Sequence, residues 1–576
     1  MKYSASPVLN LRLPVWRSRM LLVLFFFGFM VLGARAVYLQ GWNNDFLQAK
    51  GESRHSRVIE ISANRGRIVD RHGEALAIST PVKSVWAIPS ETKLDKPQLH
   101  KLASLLEMPP AEIEKRIADT NRDFVYVKRQ IPPETADRIA ELRLPGMFQS
   151  REYRRYYPGG EVMSHILGFT GAEDVGQEGV ELAFQEQLAG KPGSRRVIKD
   201  RRGQIVEDLQ SIQAAHDGRD LVLALDARIQ SMVYSQLKST ITEHRAKAGG
   251  VVVLDVTTGE MLALVNFPTY NPNNRVHLTG ASLRNRVVTD TFEPGSTLKP
   301  FTIATALESG QVKPETTVQT APGRLTIGTA TIRDAHAEGL LTVFQVIQKS
   351  SNVGSAKIAL AMPPERMWNT FNAVGFGQSP KLGFPGEAPG RVRAFKTWRP
   401  IEQATMSYGH GISLSLVQLA RAYSIFARDG DLVPISLVKV DTPPPAQFVI
   451  SADTARAMRA MLEAVVHPGG TAPRAQIMGY RVAGKTGTAH KQENGGYAAS
   501  KYVSSFVGFA PVSSPRLVVA VMIDEPTAGK YYGGLVAAPL FAQVMENALR
   551  TLRVPPDAAM KPVVLPPPGQ EVEESI

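Results

Sequence analysis

A serine and a lysine one helical turn apart are the first candidates for chemistry in the sequence. They lie in "FEPGSTLKPF", where Ser296 and Lys299 are followed directly by Pro300. Proline is accepted in the first turn of a helix, so we expect a helix that begins near Ser296 and stops at Gly310. Residues i and i+3 share a helix face, and the serine would lie at the positive end of the dipole. A partly desolvated lysine beside it could lose its proton and act as general base.

The Ser-x-x-Lys spacing by itself is a weak signal, because a pair of this kind usually marks a solvated helix or loop face. The spacing occurs three more times in the chain, at Ser90/Lys93, Ser235/Lys238 and Ser436/Lys439. The pair at 296–299 differs from these in its Pro-Gly entry and in the two motifs that follow it.

Those two motifs follow in a fixed order. "SSN" occupies 350–352, beginning 54 residues after the serine, and "KTGT" occupies 485–488, beginning 135 residues further on. Alone, the first would usually be a helix cap or a turn. The second lies in "YRVAGKTGTAHK", which we predict to be a strand. The three motifs together, in this order, form a specific signal for a serine acyl-transfer site.

With these motifs the chain resembles class B penicillin-binding proteins of the single-anchor, division type (the penicillin-binding protein 3 type). The likeness covers nearly the whole chain. In the first half it is carried by "RGRIVDRHGEALA", "RRYYPGGEVMSHILGFTG" and "GQEGVELAFQEQLAGKPG", and in the second by "FPTYNPNN", "FEPGSTLKPF", "KSSNVG" and "YYGGLVAAPLF". The resemblance implies a peptidoglycan D,D-transpeptidase that cross-links stem peptides at the septum, needs no cofactor and is a target of β-lactams.

The resemblance also implies a role for each motif residue. Ser296 would attack the D-Ala-D-Ala carbonyl while Lys299 takes its proton. Ser350, helped by Lys485, would pass a proton to the departing amine. Asn352 would hydrogen-bond the backbone of the donor peptide.

Further residues would bind the substrate or the β-lactam. The backbone N–H groups of Ser296 and Thr488 would form an oxyanion hole, a device that typically contributes about 3–4 kcal/mol to the transition state. Thr486 and Thr488 would hold the terminal carboxylate beside Lys485. The other predicted contacts are Gly487, Ser351, Tyr408, His490, Tyr531 and Tyr532.

Two histidines depart from the pattern expected of this group. His490 follows "KTGTA" where Arg or Lys is frequent, and His410 lies in "SYGHG" where an aromatic residue would be unsurprising. One interpretation makes both neutral loop or rim residues. The other has His490 bind the substrate carboxylate only when protonated, so that acylation strengthens towards about pH 6.

Other functions stay open at this point. A D,D-carboxypeptidase or a β-lactamase would share the three motifs, although we find no clear base for deacylating water. A β-lactam sensor or an idle scaffold of the division machinery would keep the fold. The sequence shows no metal-ligand cluster and no Gly-x-Ser-x-Gly elbow, since Pro294 and Leu298 stand where its glycines are needed.

The composition of the chain limits the kinds of site and partner that it can have. The chain has 576 residues, a formal net charge of +13 and no cysteine, which excludes disulfides and thiolate chemistry. No Lys/Arg block with interleaved aromatics supports nucleic-acid binding. The resemblance implies as partners peptidoglycan stem peptides, β-lactams, a division glycan polymerase and other division membrane proteins.

The N-terminus predicts a membrane anchor. "MLLVLFFFGFMVLGA" begins at Met20, and the apolar stretch reaches Leu39, about the length needed to cross a bilayer. Four basic residues precede it, at Lys2, Arg12, Arg17 and Arg19, and the first acidic residue is Asp45. The positive-inside rule leaves the N-terminus in the cytoplasm and exports everything after Gln40, and the resemblance implies the inner membrane and periplasm of a bacterium. A signal peptide cleaved at "ARA" (34–36) is the alternative.

The elements predict an α/β chain of the α+β type. Near-continuous apolar strands at 249–265 and about 480–524, with a helical stretch between and a final helix at 537–552, indicate one antiparallel sheet built from both ends of a domain. The resemblance makes this a five-stranded, penicillin-binding/β-lactamase-like domain. The predicted boundaries are 1–19 for a cytoplasmic tail, 20–39 for the anchor, 40–217 for an elongated, mixed non-catalytic module (pedestal or dimerisation type), 218–555 for the transpeptidase domain and 556–576 for a disordered tail.

Overall fold

The computed structural model describes residues 15–42, 56–61, 63–199, 205–276, 278–493, 496–563 and 573–576. Its first helix, α1 (Val15–Val37), continues as a π-helical turn, Tyr38–Trp42. No residue of α1 is buried. The stretch Val15–Gln40 is long and apolar enough to cross a membrane, and within the described ranges it is the one helix that is. This stretch contains the predicted anchor. The helix is continuous through 34–36, the residues of the alternative cleavage site.

A first region of mixed strands and short helices follows. In chain order its elements are β1 (Ser56–Ile61), β2 (Ile68–Val69), β3 (Ala75–Ala87), α2 (Lys96–Leu106), α3 (Pro110–Ile117), β4 (Val125–Ile131), α4 (Pro133–Glu141), β5 (Met147–Tyr156), α5 (Ser164–Leu167), α6 (Gly179–Ala183), α7 (Gln185–Leu188), β6 (Gly193–Lys199) and β7 (Ile205–Gln213). Strand β6 pairs antiparallel with both β1 and β7, and β3 pairs antiparallel with β2, β4 and β5.

The helices of this region cover the sheet around β3. Leu102 of α2, Ile113 of α3 and Ile139 of α4 are buried in one apolar cluster with Val85 of β3 and Val127 of β4. Both α3 and α4 begin at the second proline of a Pro-Pro pair, as expected of proline in a first helical turn. This cluster is separate from the main core of the molecule.

A second region carries the three motifs. Its elements are β8 (Leu221–Val222), α8 (Ala227–Glu243), β9 (Ala248–Asp255), β10 (Met261–Phe267), α9 (Gly280–Leu283), α10 (Arg286–Thr289), α11 (Lys299–Glu308), β11 (Thr317–Gln319), β12 (Arg324–Ile327), β13 (Ala330–Arg333), β14 (Leu340–Thr342), α12 (Val343–Gln348), α13 (Asn352–Leu360), α14 (Pro364–Ala373), α15 (Pro400–Met406), α16 (Leu416–Ala427), β15 (Asp431–Leu432), β16 (Gln447–Phe448), α17 (Ala452–Ala464), β17 (Ala483–Glu493), β18 (Gly496–Ala510), β19 (Leu517–Asp524) and α18 (Gly533–Thr551). Short 3-10 turns lie at Gly160–Val162, Gly295–Leu298, Phe395–Thr397 and Pro473–Ala475.

The main sheet of this region has five antiparallel strands in the order β10-β9-β19-β18-β17. The predicted five-stranded antiparallel sheet is therefore confirmed. Every residue of β9 is buried, because α8 and α18 pack on one face of the sheet and α16 packs on the other. A sheet covered on both faces explains why its strands are nearly all apolar rather than alternating.

The helical stretch between the two halves of the sheet positions the first motif. Phe301 of α11 is fully buried. Its ring centroid lies 5.1 Å from that of Phe376, 5.4 Å from that of Tyr423 and 5.1 Å from that of Phe426. The hydroxyl of Tyr423 donates to the backbone carbonyl of Thr297 at 2.7 Å. This aromatic cluster therefore fixes both the helix and the turn that precedes it.

Candidate active site

The turn that carries Ser296 is held by close backbone packing. Residues Gly295–Leu298 form a 3-10 turn that leads into α11, and Pro300 lies in the first turn of that helix, as the sequence predicts. Gly295 has φ +56°, a left-handed conformation that favours glycine. A Cβ atom on Gly409 would lie 2.2 Å from the carbonyl oxygen of Gly295, so the two glycines allow the backbones to touch.

The first motif forms the predicted pair. Lys299 Nζ lies 2.9 Å from Ser296 Oγ and 3.0 Å from Ser350 Oγ, and it also donates to the backbone carbonyl of Ser350. Lys299 is completely buried. Burial, followed by the charge of nearby Lys485, holds the pKa of Lys299 well below its usual 10.5. A lysine in this state can accept the proton of the serine.

The second motif turns its first serine into the same space. Ser350 has φ +60°, which is uncommon for a residue other than glycine and is found where structure holds a functional group in place. Ser351 caps helix α13, since its hydroxyl accepts from the N–H of Gly354 at 2.8 Å. The two serines of the motif therefore do different work: Ser350 faces the lysines and Ser351 positions the backbone.

Asn352 offers an unused acceptor. Its side-chain amide donates to the carbonyl of Arg333 at 3.1 Å, and its buried Oδ1 has no hydrogen-bond partner among the described residues. A buried polar atom without a partner is costly, so such atoms in a cleft are suited to bind a ligand. Oδ1 fits a peptide N–H donor.

The third motif completes the cluster from the edge strand of the sheet. Lys485 on β17 donates to Ser350 Oγ at 2.9 Å and is completely buried. Burial lowers the pKa of Lys485 to about 8. The hydroxyl of Ser350 thus lies between two lysine amines, one of which touches Ser296.

Gly487 brings that strand against the turn of the first motif. A Cβ atom there would lie 2.5 Å from Ser505 Oγ and 2.7 Å from the carbonyl oxygen of Pro294. A Cβ atom on Gly295 would in turn lie 3.2 Å from the carbonyl oxygen of Thr488. The backbones at 294–296 and 487–488 are therefore neighbours, which is what an oxyanion hole made by both requires.

The threonines of β17 lie beside a buried carboxylate. Thr486 Oγ1 is 2.9 Å from Thr471 Oγ1, and Thr488 Oγ1 accepts from the N–H of Gly533 and donates to a carboxylate oxygen of Glu574, both at 2.9 Å. Glu574 belongs to the last four residues of the chain. Residues 564–572 of the predicted disordered tail lie outside the described residues, whereas residues 573–576 are placed at the site.

The predicted aromatic contacts fall into two groups. Tyr408 is buried in a small cluster with Ile332, Val353, Ala356 and Ala404, and its contact with substrate stays a prediction. Tyr531 stacks on Tyr502 with centroids 4.2 Å apart and tilts against Tyr532 at 4.5 Å. These three tyrosines form a partly exposed wall beyond Thr488.

The two histidines occupy different surroundings. His490 Nδ1 lies 3.1 Å from the carbonyl oxygen of Ala498, and its ring packs on Tyr502 at 4.7 Å. Burial, with smaller effects of Lys299 and His490, lowers the pKa of His410 to about 4, so His410 is neutral at pH 7. Carboxylate binding by protonated His490 stays a prediction.

Sequence reasoning missed several residues that support the site. Asp334, just after β13, accepts from Ser351 Oγ at 2.6 Å and from the N–H of Val353 at 2.9 Å, and so holds the second motif. Thr471 and Glu574 contact the threonines of β17. Glu293, three residues before Ser296, accepts a hydrogen bond from the N–H of Gly411 at 2.8 Å and so supports the turn of the first motif. None has a local signal, because each meets its partner across a long sequence separation.

Within the described ranges no group of three or more His, Cys, Asp or Glu side chains is arranged to hold a metal ion. The chemistry available to the described cluster is that of a serine nucleophile with two lysines, a second serine and backbone N–H donors.

Comparisons with known proteins agree with this geometry. Residues 249–546 match the family model described as penicillin binding protein transpeptidase domain, and residues 60–223 match the penicillin-binding protein dimerisation domain. The peptidoglycan D,D-transpeptidase FtsI of Escherichia coli K12 is 42% identical over 551 residues, covering 94% of this chain and 93% of that protein.

Two further relatives give the same result. The Neisseria gonorrhoeae protein named "Probable peptidoglycan D,D-transpeptidase PenA" is 42% identical over 533 residues, covering 92% of this chain and 91% of the relative. A solved structure of the transpeptidase domain of Burkholderia pseudomallei penicillin-binding protein 3 is 50% identical, with a TM-score of 0.55, and covers 58% of this chain and 98% of that one. The chain therefore belongs to the penicillin-binding protein family of peptidoglycan D,D-transpeptidases.

Proposed function

We propose that this chain cross-links peptidoglycan stem peptides at the division septum through an acyl-enzyme on Ser296. One observation carries the assignment of the residues: a buried chain of contacts runs from Ser296 Oγ to Lys299 Nζ, on to Ser350 Oγ and then to Lys485 Nζ, with each step between 2.9 and 3.0 Å. This is a nucleophile, a base, a hydroxyl and a second amine in hydrogen-bond contact.

Acylation begins at the first pair. Ser296 Oγ attacks the carbonyl between the two D-alanines of the donor stem peptide, and uncharged Lys299 accepts its proton. The N–H groups of Ser296 and Thr488 stabilise the negative oxygen that forms. The adjacent backbones of the two segments support this role.

Departure of D-alanine needs a proton on its nitrogen. Ser350 lies between Lys299 and Lys485, so it can donate its proton to the leaving amine and regain one from a lysine. An amine of a second stem peptide then attacks the acyl-enzyme by the reverse sequence, and the cross-link forms. A β-lactam follows the first half of this path, and its tethered leaving group stays in the cleft.

Substrate binding uses the edge strand and the second motif. Oδ1 of Asn352 accepts a backbone N–H of the donor peptide. Thr486, Thr488 and the charge of Lys485 receive its terminal carboxylate, as they receive the carboxylate of Glu574 in the structure. Gly487 presents its backbone, and Tyr531 and Tyr532 form an aromatic wall further along.

The anchor and the N-terminal module determine where in the cell the catalytic domain lies. The apolar helix at 20–39 anchors the protein in the bacterial inner membrane, with the basic N-terminal residues in the cytoplasm and the catalytic domain in the periplasm. The module at 40–217 carries the domain away from the membrane. With the anchor, it meets a glycan polymerase and other membrane proteins of the division machinery.

Labelling with a fluorescent penicillin tests the central claim. The full-length protein in detergent is expected to be labelled, and Ser296→Ala is expected to lose the label. Ser235→Ala is a matched control, because Ser235 begins another Ser-x-x-Lys pair and lies exposed on α8. Both variants are then tested for rescue of dividing cells that lack the native copy. Retained labelling of Ser296→Ala, or rescue by it, would contradict the proposal.

A further inference from the structure

The last four residues of the chain lie in the cleft. Glu574 and Ser575 are only 5% and 8% exposed, whereas Glu573 is exposed. The end of a chain is ordinarily solvated unless specific contacts hold it. The burial of these two polar residues therefore requires specific contacts that hold them.

The carboxylate of Glu574 is bound by groups of two elements. One oxygen accepts from Thr488 Oγ1 on β17 at 2.9 Å, and the other accepts from the backbone N–H of Gly534 in the first turn of α18 at 2.7 Å. Lys485 attracts the same carboxylate. A buried carboxylate is tolerated when it is hydrogen-bonded and faces a cation, and both conditions are met.

Ser575 reaches the opposite side of the cleft. Its hydroxyl accepts from the N–H of Ala335 at 3.0 Å. Ala335 follows Asp334, the residue that holds Ser351. The tail thus spans from the strand of the third motif to the segment that supports the second motif.

The tail can reach this position from its own chain. Val563, the last residue described before the tail, lines the same small cavity as Tyr480, and Asp557 accepts from the N–H of Arg481 at 2.7 Å. From Tyr480 to Thr488 the chain advances eight residues, or about 26 Å when extended. Ten residue steps from Val563 to Glu573 span up to about 33 Å.

We propose that the C-terminal segment 574–576 is a ligand of this protein's own cleft, which occupies the carboxylate site of the donor stem peptide and must leave before Ser296 can be acylated. The inference rests on the proposed function of that site. The recognised ligand is an acidic peptide whose side-chain carboxylate takes the place of a terminal carboxylate. The tail then acts as a built-in competitor whose strength sets the fraction of enzyme open to substrate.

Acylation rates of the full-length protein test the proposal. Four proteins are compared: the unmodified chain, a chain that ends at Val572, Glu574→Ala, and Glu573→Ala as the matched control on the exposed neighbour. A competitor raises the apparent rate when removed, by the inverse of the open fraction. The truncated chain and Glu574→Ala are expected to react with fluorescent penicillin about threefold faster or more, and Glu573→Ala at the unmodified rate.

A peptide of sequence EVEESI, added to the truncated chain, provides the reverse test. At about 1 mM, an effective concentration typical of a short tether, it is expected to slow labelling competitively. The same peptide with alanine in place of the Glu574 position is expected to have no effect.

The outcomes separate this inference from the proposed function. Loss of penicillin labelling by the unmodified chain would overturn the proposed function itself. Labelling at one common rate in all four proteins would overturn the tail inference alone. If the rate constant of labelling of the unmodified chain falls as the protein concentration rises, the tail binds to a second copy, and the inference that it docks within its own chain would be overturned.

Discussion

Two buried charged clusters, one in each region of the chain, show how differently such clusters can be built. In the first region Arg65 and Arg155 both bind Glu181, at 2.6 and 2.7 Å, and all three side chains are almost completely buried. In the second region Lys299 and Lys485 meet at Ser350, which is neutral.

The difference lies in the group that joins the two basic side chains. Arg65 has further partners in the Asp174 carbonyl at 3.0 Å and Gln185 at 2.9 Å, so the first cluster is a network that links segments distant in sequence. The lysines of the second cluster share the neutral hydroxyl of Ser350, and Lys485 also attracts the tail carboxylate. A carboxylate between two guanidinium groups serves stability, whereas a buried amine beside a second amine binds its proton less tightly and can act as a base. The kind of group that joins the buried basic side chains, rather than burial alone, therefore marks the reactive site.

The largest expected effect comes from removing the base. In Lys299→Met the serine keeps its place but loses its proton acceptor, so the rate of acylation by a penicillin should fall by about 10²–10⁴-fold. Thermal unfolding should be unchanged or shifted upwards, because a buried amine is replaced by an apolar side chain. Lys238→Met, at the exposed Ser235/Lys238 pair on α8, is the matched control and should acylate normally. Normal acylation of Lys299→Met would place the base elsewhere.

A loss of stability without loss of chemistry is expected at the other cluster. Glu181→Ala leaves two buried arginines without their carboxylate, which should lower the free energy of unfolding by about 3–5 kcal/mol. Asp137→Ala removes an exposed partner of Lys83 and should cost about 1 kcal/mol or less. Denaturant unfolding measures both, and penicillin labelling of the folded fraction should be unaffected. A stable Glu181→Ala protein would show that the first cluster is not structural.

The smallest expected effect is a pH dependence from Lys485. Because its pKa is lowered to about 8, it is charged below that pH and neutral above it. The charged amine supplies a proton to Ser350 and attracts the substrate carboxylate. Acylation by a penicillin should therefore decline above about pH 8, by about tenfold per pH unit.

Lys485→Arg provides the contrast in that experiment. It should react more slowly below pH 8, yet show no decline above pH 8, since a guanidinium keeps its charge. The rate constant of acylation measured from pH 6 to pH 10 decides the point, and a decline shared by both proteins would assign it to another group.

The sequence was informative where chemistry and local structure coincide. Ser296, Lys299 and Pro300 could be placed on one helical turn, because proline and i, i+3 spacing act locally. The all-apolar strands predicted a sheet covered on both faces, and β9 is such a strand. The final helix begins four residues earlier than predicted, at Gly533, since Pro539 is accommodated inside it.

Long-range contacts could not be inferred in the same way. Asp334 sits in an unremarkable hairpin segment, and only the fold brings it to Ser351 and Val353. The polar, proline-rich end of the chain predicted disorder, and the burial of Glu574 could not be inferred, because composition carries no information on specific contacts. The packing of Tyr408 in an apolar cluster is likewise a tertiary feature, and its contact with substrate stays a prediction.

The order of strands in the main sheet ties activity to the completion of synthesis. Strand β9, at 248–255, is bracketed by β10 and β19, and β19 comes from 517–524. Ser296 precedes β17, the edge strand that carries Lys485, by about 190 residues, so translation from the N-terminus delivers the nucleophile well before that strand. An unfinished polypeptide therefore carries its nucleophile without the edge strand that makes it reactive.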